Sequence, residues 1–289
     1  MALPEVNVEK RGSAKIWISS GFADPVFVRA LAETDSLFDD NACQIIKDQK
    51  KIKVGRLTRI IAGKRRSIYI KKYKTFSLRV RLLSPFVLSG AVRSLRGADL
   101  LQKGRISTAK PIAAVESRFC GMLRHSCFVS EEIAGGKTAD AYWLESIRQC
   151  KDRGGFKERR AFLRGLASMF HSLHQQQIYH NDLKDANILV VVKNRDIDSM
   201  EYFLLDLEGV RRCARLSRRR RIKNLVQLYR TLGRHVSRSG RMFFFKCYLG
   251  PAFADRKLKR QLIEDVLRAA RRVDIRKVRV HRPEQFALL

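Results

Sequence analysis

The segment Ile178-Tyr-His-Asn-Asp-Leu-Lys-Asp-Ala-Asn-Ile-Leu-Val-Val-Val192 decides the fold class. It contains His180-x-Asp182-x-Lys184-x-x-Asn187, and an unbroken aliphatic run follows at once. Four fixed residues at these spacings match by chance at roughly 10⁻⁵ per position. The flanks agree with the motif. Upstream, Lys157–Gln175 places Phe162, Leu166, Met169, Phe170 and Leu173 on one side at helical spacing. The order is therefore an amphipathic helix, a polar loop and a buried strand.

Those residue types suit phosphoryl transfer. An attacking hydroxyl needs a carboxylate to orient it and take its proton, and Asp182 is the candidate. Asn187, five residues on, offers an oxygen to a divalent cation. Lys184 is placed to neutralise charge on the transferring group, with a structural salt bridge as the alternative. His180 is expected to brace the loop.

A second apolar strand, Tyr202-Phe-Leu-Leu205, ends at Asp206-Leu-Glu208. Asp206 stands where a metal-binding Asp follows such a strand, with a helix-capping or turn Asp as the alternative. Glu208 occupies the usual glycine position, as a surface residue or an accessory metal contact. Upstream, Ser67-Ile-Tyr-Ile-Lys-Lys-Tyr73 matches the Val-Ala-Ile-Lys pattern, which makes Lys71 the phosphate-gripping lysine. A solvated strand lysine is the alternative. Period-2 alternation sends Lys72 to the other face. Gly55 is the one glycine available to the turn between the first two strands, with Arg56 and Thr58 beside it.

The rest of the pattern divides the chain. Asp24 to Phe38 reads as a short helix capped by Asp24 with Pro25 at its first position. Gln44–Lys47, Leu57–Ile61 and Ser67–Lys72 read as an antiparallel meander turned at Gly55 and at Gly63–Arg66. Leu88–Lys103 reads as a helix, and Thr108–Glu116 and Cys127–Ile133 as strands before Gly135-Gly136. The later part is mainly helical. The expected class is α+β. A strand-rich N-lobe with an N-terminal extension spans 1–130, a hinge spans 131–136, and a helical C-lobe spans 137–289.

The 289 residues suffice for two lobes with real cores. With 45% apolar and 30% charged residues, the chain carries a formal net charge of +32, which points to a polyanionic partner. The six scattered cysteines form no Cys-x-x-Cys pair, so free thiols in a reducing compartment are expected. The first ten residues lack the apolar core of a signal peptide, and no apolar run approaches the roughly 20 residues of a membrane span. His125 and Cys127 lack further metal ligands nearby and read as structural.

With these motifs in place, the chain resembles the lipopolysaccharide core kinases, the Kdo/heptose kinase family. The resemblance runs from about Gln44 to Gly250 and is strongest at Tyr179–Val190 and Leu204–Arg212. Leu216–Leu225 and Arg241–Gly250 also look like that family. It implies a bilobal protein-kinase-like fold with an antiparallel-sheet N-lobe, ATP with Mg2+, and a heptose or Kdo acceptor in the lipopolysaccharide inner core. Carried over by position, Lys71, Gly55, Glu131 and Ile133 meet ATP, Asp182 is the base with Lys184 beside it, and Asn187 and Asp206 hold metal.

Two positions depart from the pattern. Asn181 stands for the Arg of His-Arg-Asp, and Val92–Asp99 offers no Glu to Lys71. Asp99 is the only acid there, in the wrong register. The alternatives are a protein Ser/Thr kinase, which lacks its Ala-Pro-Glu motif here, and a non-catalytic pseudokinase on an anionic membrane. The basic run around Arg218, Arg219, Arg220 and Arg221 is either a solvated face or a surface for anionic lipid or core sugar. No nucleic-acid motif accompanies it, so nucleic acid is not the expected partner. The implied place is the cytoplasmic face of the bacterial inner membrane, peripherally attached near a lipid-linked core oligosaccharide.

Overall fold

The structure is a computed structural model describing residues 6–74, 83–149, 152–193 and 197–281. Its contacts form two compact units, Met1–Ala134 with Leu205–Val210, and Gly135–Leu204 with Arg211–Leu289. The return of residues 205–210 to the first unit is a feature that a linear division into lobes does not contain.

In the first unit, strands β1 (Val6–Arg11), β2 (Ala14–Ser19), β3 (Gln44–Asp48), β4 (Ile52–Ile61), β5 (Lys64–Lys74), β6 (Pro111–Phe119) and β7 (Met122–Glu131) form one antiparallel sheet. Their order is β1-β2-β6-β7-β5-β4-β3. One face is covered by helices α1 (Pro25–Ala32) and α2 (Ser36–Asp39). Phe22, Phe27, Val28, Leu31 and Leu37 meet Ile16, Ile18, Leu57, Ile68 and Ile70 in a dry core. Each such large side chain contributes about 1.5–3 kcal/mol by burial. Asp24 caps α1, accepting from the amides of Val26 and Phe27. The helix ends at Ala32, so the single helix expected to Phe38 is two pieces joined by a turn. Helix α3 (Gly90–Lys103), capped by Ser89, packs against β6 and β7.

In the second unit, helix α4 (Ala139–Tyr142) precedes the long helix α5 (Arg153–Gln175), capped by Asp152. Strands β8 (Lys137–Thr138), β10 (Ile188–Val192) and β11 (Met200–Leu204) pair in the order β11-β10-β8, and β9 (Ile178–His180) leads into the loop before β10. The insert Lys193–Ser199 between the two apolar strands reads from sequence as a surface turn, and its residues 194–196 lie outside the described residues. Tyr202 crosses α5 at Gly165, where a Cβ would overlap its ring, and its hydroxyl donates to the Phe162 carbonyl at 2.9 Å. Helices α6 (Arg218–Arg230), α7 (Arg238–Leu249) and α8 (Arg256–His281) complete the unit. Phe244 and Phe245 are buried, with Phe244 edge-on to Phe170. The cysteines among the described residues are free, and burial pushes the Cys127 thiol up to about 12. Cys150 lies outside the described residues. No helix among the described residues is long and apolar enough to cross a membrane.

A buried polar relay ties α5, α6 and α7 together. His174 is 1% exposed, with Nδ1 at 2.7 Å from the Tyr248 hydroxyl and Nε2 at 3.4 Å from Asn224 Oδ1. Because Asn224 Oδ1 only accepts, the network assigns the proton to Nε2 and makes Nδ1 the acceptor from Tyr248. Burial pushes the imidazole down to about 4, from 6.5 in an unfolded chain. The unfolded state therefore binds the extra proton first as pH falls. Stability from neutral His174 is complete above pH 6.5 and is lost as pH falls towards 4, by roughly 3 kcal/mol. Thermal unfolding between pH 7 and 4 should show a steep fall in Tm. That slope should flatten in His174→Gln, and an unchanged slope would refute the assignment.

Candidate active site

The loop between β9 and β10 is built from its own residues. Asp182 is half-exposed, and its Oδ2 pairs with Lys184 Nζ at 2.9 Å. Asn187 donates both hydrogens of Nδ2 to Asp182, to the carbonyl oxygen at 2.7 Å and to Oδ2 at 3.0 Å. This closes the five-residue loop and leaves the amide oxygen of Asn187 as the group to offer a cation. The His180 ring is buried, and its Nδ1 accepts from the Asp182 amide at 3.2 Å. His180 is thus a brace with an unprotonated Nδ1. Asp185 is buried, and burial raises its carboxyl pKa.

The loop hangs from α6. Asn224 Nδ2 donates to the His180 carbonyl at 2.5 Å, and Gln227 Nε2 donates to the Asn181 carbonyl at 2.7 Å. Gln227 Oε1 accepts from the Leu183 amide at 3.1 Å. Asn181, in place of an arginine, accepts at Oδ1 from Tyr179 (3.2 Å) and Lys223 (3.0 Å).

In the first unit, Lys71 Nζ donates to Asp206 Oδ1 at 2.5 Å and lies 5.0 Å from the centroid of the Tyr73 ring. Tyr73 and Ser94 of α3 share a hydrogen bond at 2.8 Å. The missing Glu of α3 is therefore replaced by Asp206 and an aromatic face from the lysine's own strand. Asp99 is engaged elsewhere, by Lys103 at 2.7 Å. Burial, with Glu208 next, raises the Tyr73 pKa well above its usual value and keeps the phenol neutral. Gly90 makes room for that ring, since a Cβ there would come within 2.7 Å of it. Asp206 adopts left-handed backbone geometry (φ 55°, ψ 58°), which Asp tolerates better than most residues. Glu208 lies 4.0 Å from Arg93.

Gly55 does not sit in a turn. It lies within β4 opposite Ile70 and faces Phe38 and Cys43, where a Cβ would come within 2.8 Å of the Cys43 sulfur. Lys71 pairs in register with Val54, so Gly55 occupies the opposite face of the sheet from the lysine. Gly55 is a packing residue. The hairpin between β3 and β4 is Gln49-Lys50-Lys51, with no glycine. Lys72 pairs with Asp35 on the α1–α2 side. Glu131 ends β7, its amide bound to the Lys110 carbonyl and its carboxylate to Arg66. Ile133 lies past the ladder, which closes with the Glu132 amide on Ser67.

The basic run is not uniform. Ser217 caps α6, and four arginines fill its first turn, an unfavourable place for cations beside the helix dipole. Arg218 pairs with Asp265 of α8 at 2.7 Å, and Arg221 reaches the His174 carbonyl. These two hold helices together, whereas Arg219 and Arg220 form no ion pair with a carboxylate among the described residues.

A sequence model of the lipopolysaccharide kinase (Kdo/WaaP) family matches residues 47–248. The chain belongs to this family. It is therefore a kinase, a phosphotransferase acting on lipopolysaccharide. The kinase is similar to a solved structure described as WaaP in complex with acyl carrier protein, at 19% identity over 86% of this chain and 97% of that one. The TM-score of 0.63 shows a common, bilobal kinase-like α+β fold. A structure of the BubR1 kinase domain aligns at 13% identity over 73% of this chain and 51% of that one, with a TM-score of 0.36. No curated protein matched the sequence.

Sequence reading missed Tyr73, Ser94, Asn224 and Gln227. It also missed Gly97, where a Cβ would overlap the Leu207 carbonyl oxygen and lie 3.2 Å from Cβ of Leu207 and of Val210. Gly97 lets α3 lie directly on the Asp206–Glu208 turn. Gly97→Ala in the kinase should cost about 1–3 kcal/mol by overpacking against backbone and should lower kcat by displacing Asp206. Urea unfolding with steady-state kinetics measures both, and a variant unchanged in both would refute the contact's importance.

Proposed function

We propose that this chain transfers the γ-phosphoryl group of ATP to a heptose or Kdo hydroxyl of a lipid-linked inner-core oligosaccharide, with Asp182 as the base. The observation that carries the reading is the Asp182 carboxylate held by Lys184 and Asn187 while still half-exposed. A carboxylate so restrained can receive a sugar hydroxyl without losing orientation on binding. Lys184 then sits beside the transferring group, where it offsets charge spread over the phosphoryl oxygens. Lys71 grips the ATP phosphates, oriented by Asp206 and Tyr73. The peptide groups of Glu131 and Ile133 meet the base.

The oxygen donors suit magnesium, a hard cation that takes few protein ligands. Asn187 keeps its amide oxygen because its nitrogen is engaged, and Asp206 keeps Oδ2 because Lys71 takes Oδ1. When bound, the ion supplies charge neutralisation at the phosphates. Glu208, facing Arg93, is left as a surface residue of the turn. The net charge of +32 suits work at an anionic membrane surface, to which the protein attaches peripherally on the cytoplasmic side.

The test is transfer from labelled ATP, with magnesium, to lipid A bearing Kdo, to the same acceptor extended by heptose, and to a generic protein. Label should enter one glycolipid, and Asp182→Asn should lower kcat by at least about 10²-fold, the low end for a general base. Label on protein alone, or an Asp182→Asn variant as fast as the parent, would refute the proposal.

A further inference from the structure

Three cations of the second unit converge on one aromatic ring. Arg211, Arg220 and Lys223 lie 5.2, 5.7 and 5.6 Å from the centroid of Tyr179. Tyr179 is 2% exposed, so its ring is a fixed floor, whereas Arg211 and Lys223 are exposed. Among the described residues, none of the three cations forms an ion pair with a carboxylate. Arg218, by contrast, pairs with Asp265, and Arg230 and Arg234 pair with Asp274. The fold thus neutralises these three arginines and leaves the group on Tyr179 unneutralised.

The group also touches the loop that carries Asp182. Lys223 Nζ and the Tyr179 hydroxyl both donate to Asn181 Oδ1, one residue before Asp182. Like charges within about a Debye length repel. One ring attracts all three, but it offers no full negative charge. An oxyanion does, and guanidinium groups bind phosphate and carboxylate through paired N–H donors.

We propose that Arg211, Arg220 and Lys223, gathered on Tyr179, form an anion subsite that binds a phosphate or carboxylate of the glycolipid acceptor beside the sugar to be phosphorylated. The inference rests on the transferase reading. It adds that the acceptor is recognised by a charged group already present on it. Asn181 links that recognition to the loop bearing Asp182.

The test is calorimetric binding of deacylated, Kdo-bearing lipid A sugar without ATP, which needs no turnover. Four proteins are compared: the parent, the triple variant Arg211→Gln/Arg220→Gln/Lys223→Gln, Arg211→Gln alone, and Arg218→Gln. The ligand is used intact, dephosphorylated, or with its carboxylates methylated. The triple variant should bind the intact ligand at least tenfold more weakly, and Arg211→Gln, an exposed single change, at least threefold more weakly. Arg218→Gln should bind within twofold of the parent. For the parent, the modification that weakens binding tenfold identifies the anion. Equal Kd for parent and triple variant would overturn the proposal, as would an equal loss in Arg218→Gln. So would a triple variant that loses only its sedimentation with phosphatidylglycerol vesicles, which would make the cluster a lipid-headgroup site. Failure of the transferase reading appears separately, as absence of Asp182-dependent label transfer.

Discussion

The contact of Gly97 with the Leu207 carbonyl sets the rest of the first unit's chemistry. Helix α3 can lie on the Asp206–Glu208 turn only because no Cβ intervenes. With the turn fixed, Asp206 holds a left-handed conformation and its carboxylate meets Lys71. The ammonium then rests on Tyr73, whose hydroxyl is bound by Ser94 of the same helix and whose ring lies against Gly90. The helix thus acts three times on one lysine without presenting an acid to it. Two glycines and a serine do by close approach what a glutamate would do by charge.

The second unit solves a parallel problem with amides. An exposed loop between two short strands has few backbone bonds of its own. Asn224 and Gln227, three residues apart on α6, supply four hydrogen bonds around Asn181 and the loop when the link to His174 is included. Their spacing puts both on one side of the helix, next to each other. The neutral His174 ring and the Tyr248 hydroxyl extend the relay to α5 and α7.

Much of this was legible in the sequence where the informative residues are contiguous. The loop motif, the strand ending at Asp206 and the opposed faces of Lys71 and Lys72 each follow from a short window and one period. The cap at Asp24 was legible for the same reason. Gly55 was misread because its face depends on the register of β4 against β5, which no local pattern fixes. Tyr73 and Ser94 are 21 residues apart in sequence and meet only through tertiary packing. Asn224 and Gln227 were obscured by the arginines around them, since a charge run draws attention to its cations and not to the two amides it contains. The same run conceals a division between Arg218, neutralised by Asp265, and Arg220, left on Tyr179.

The neutral anchoring of the loop has a consequence in ionic strength. Hydrogen bonds between amides and backbone are short-ranged and almost indifferent to dissolved salt, whereas exposed charges weaken as the Debye length contracts. Positioning of the loop backbone by Asn224 and Gln227 therefore persists at salt concentrations that weaken the half-exposed pair of Asp182 with Lys184. Rising salt thus releases the Lys184 ammonium before it loosens the loop that carries Asp182.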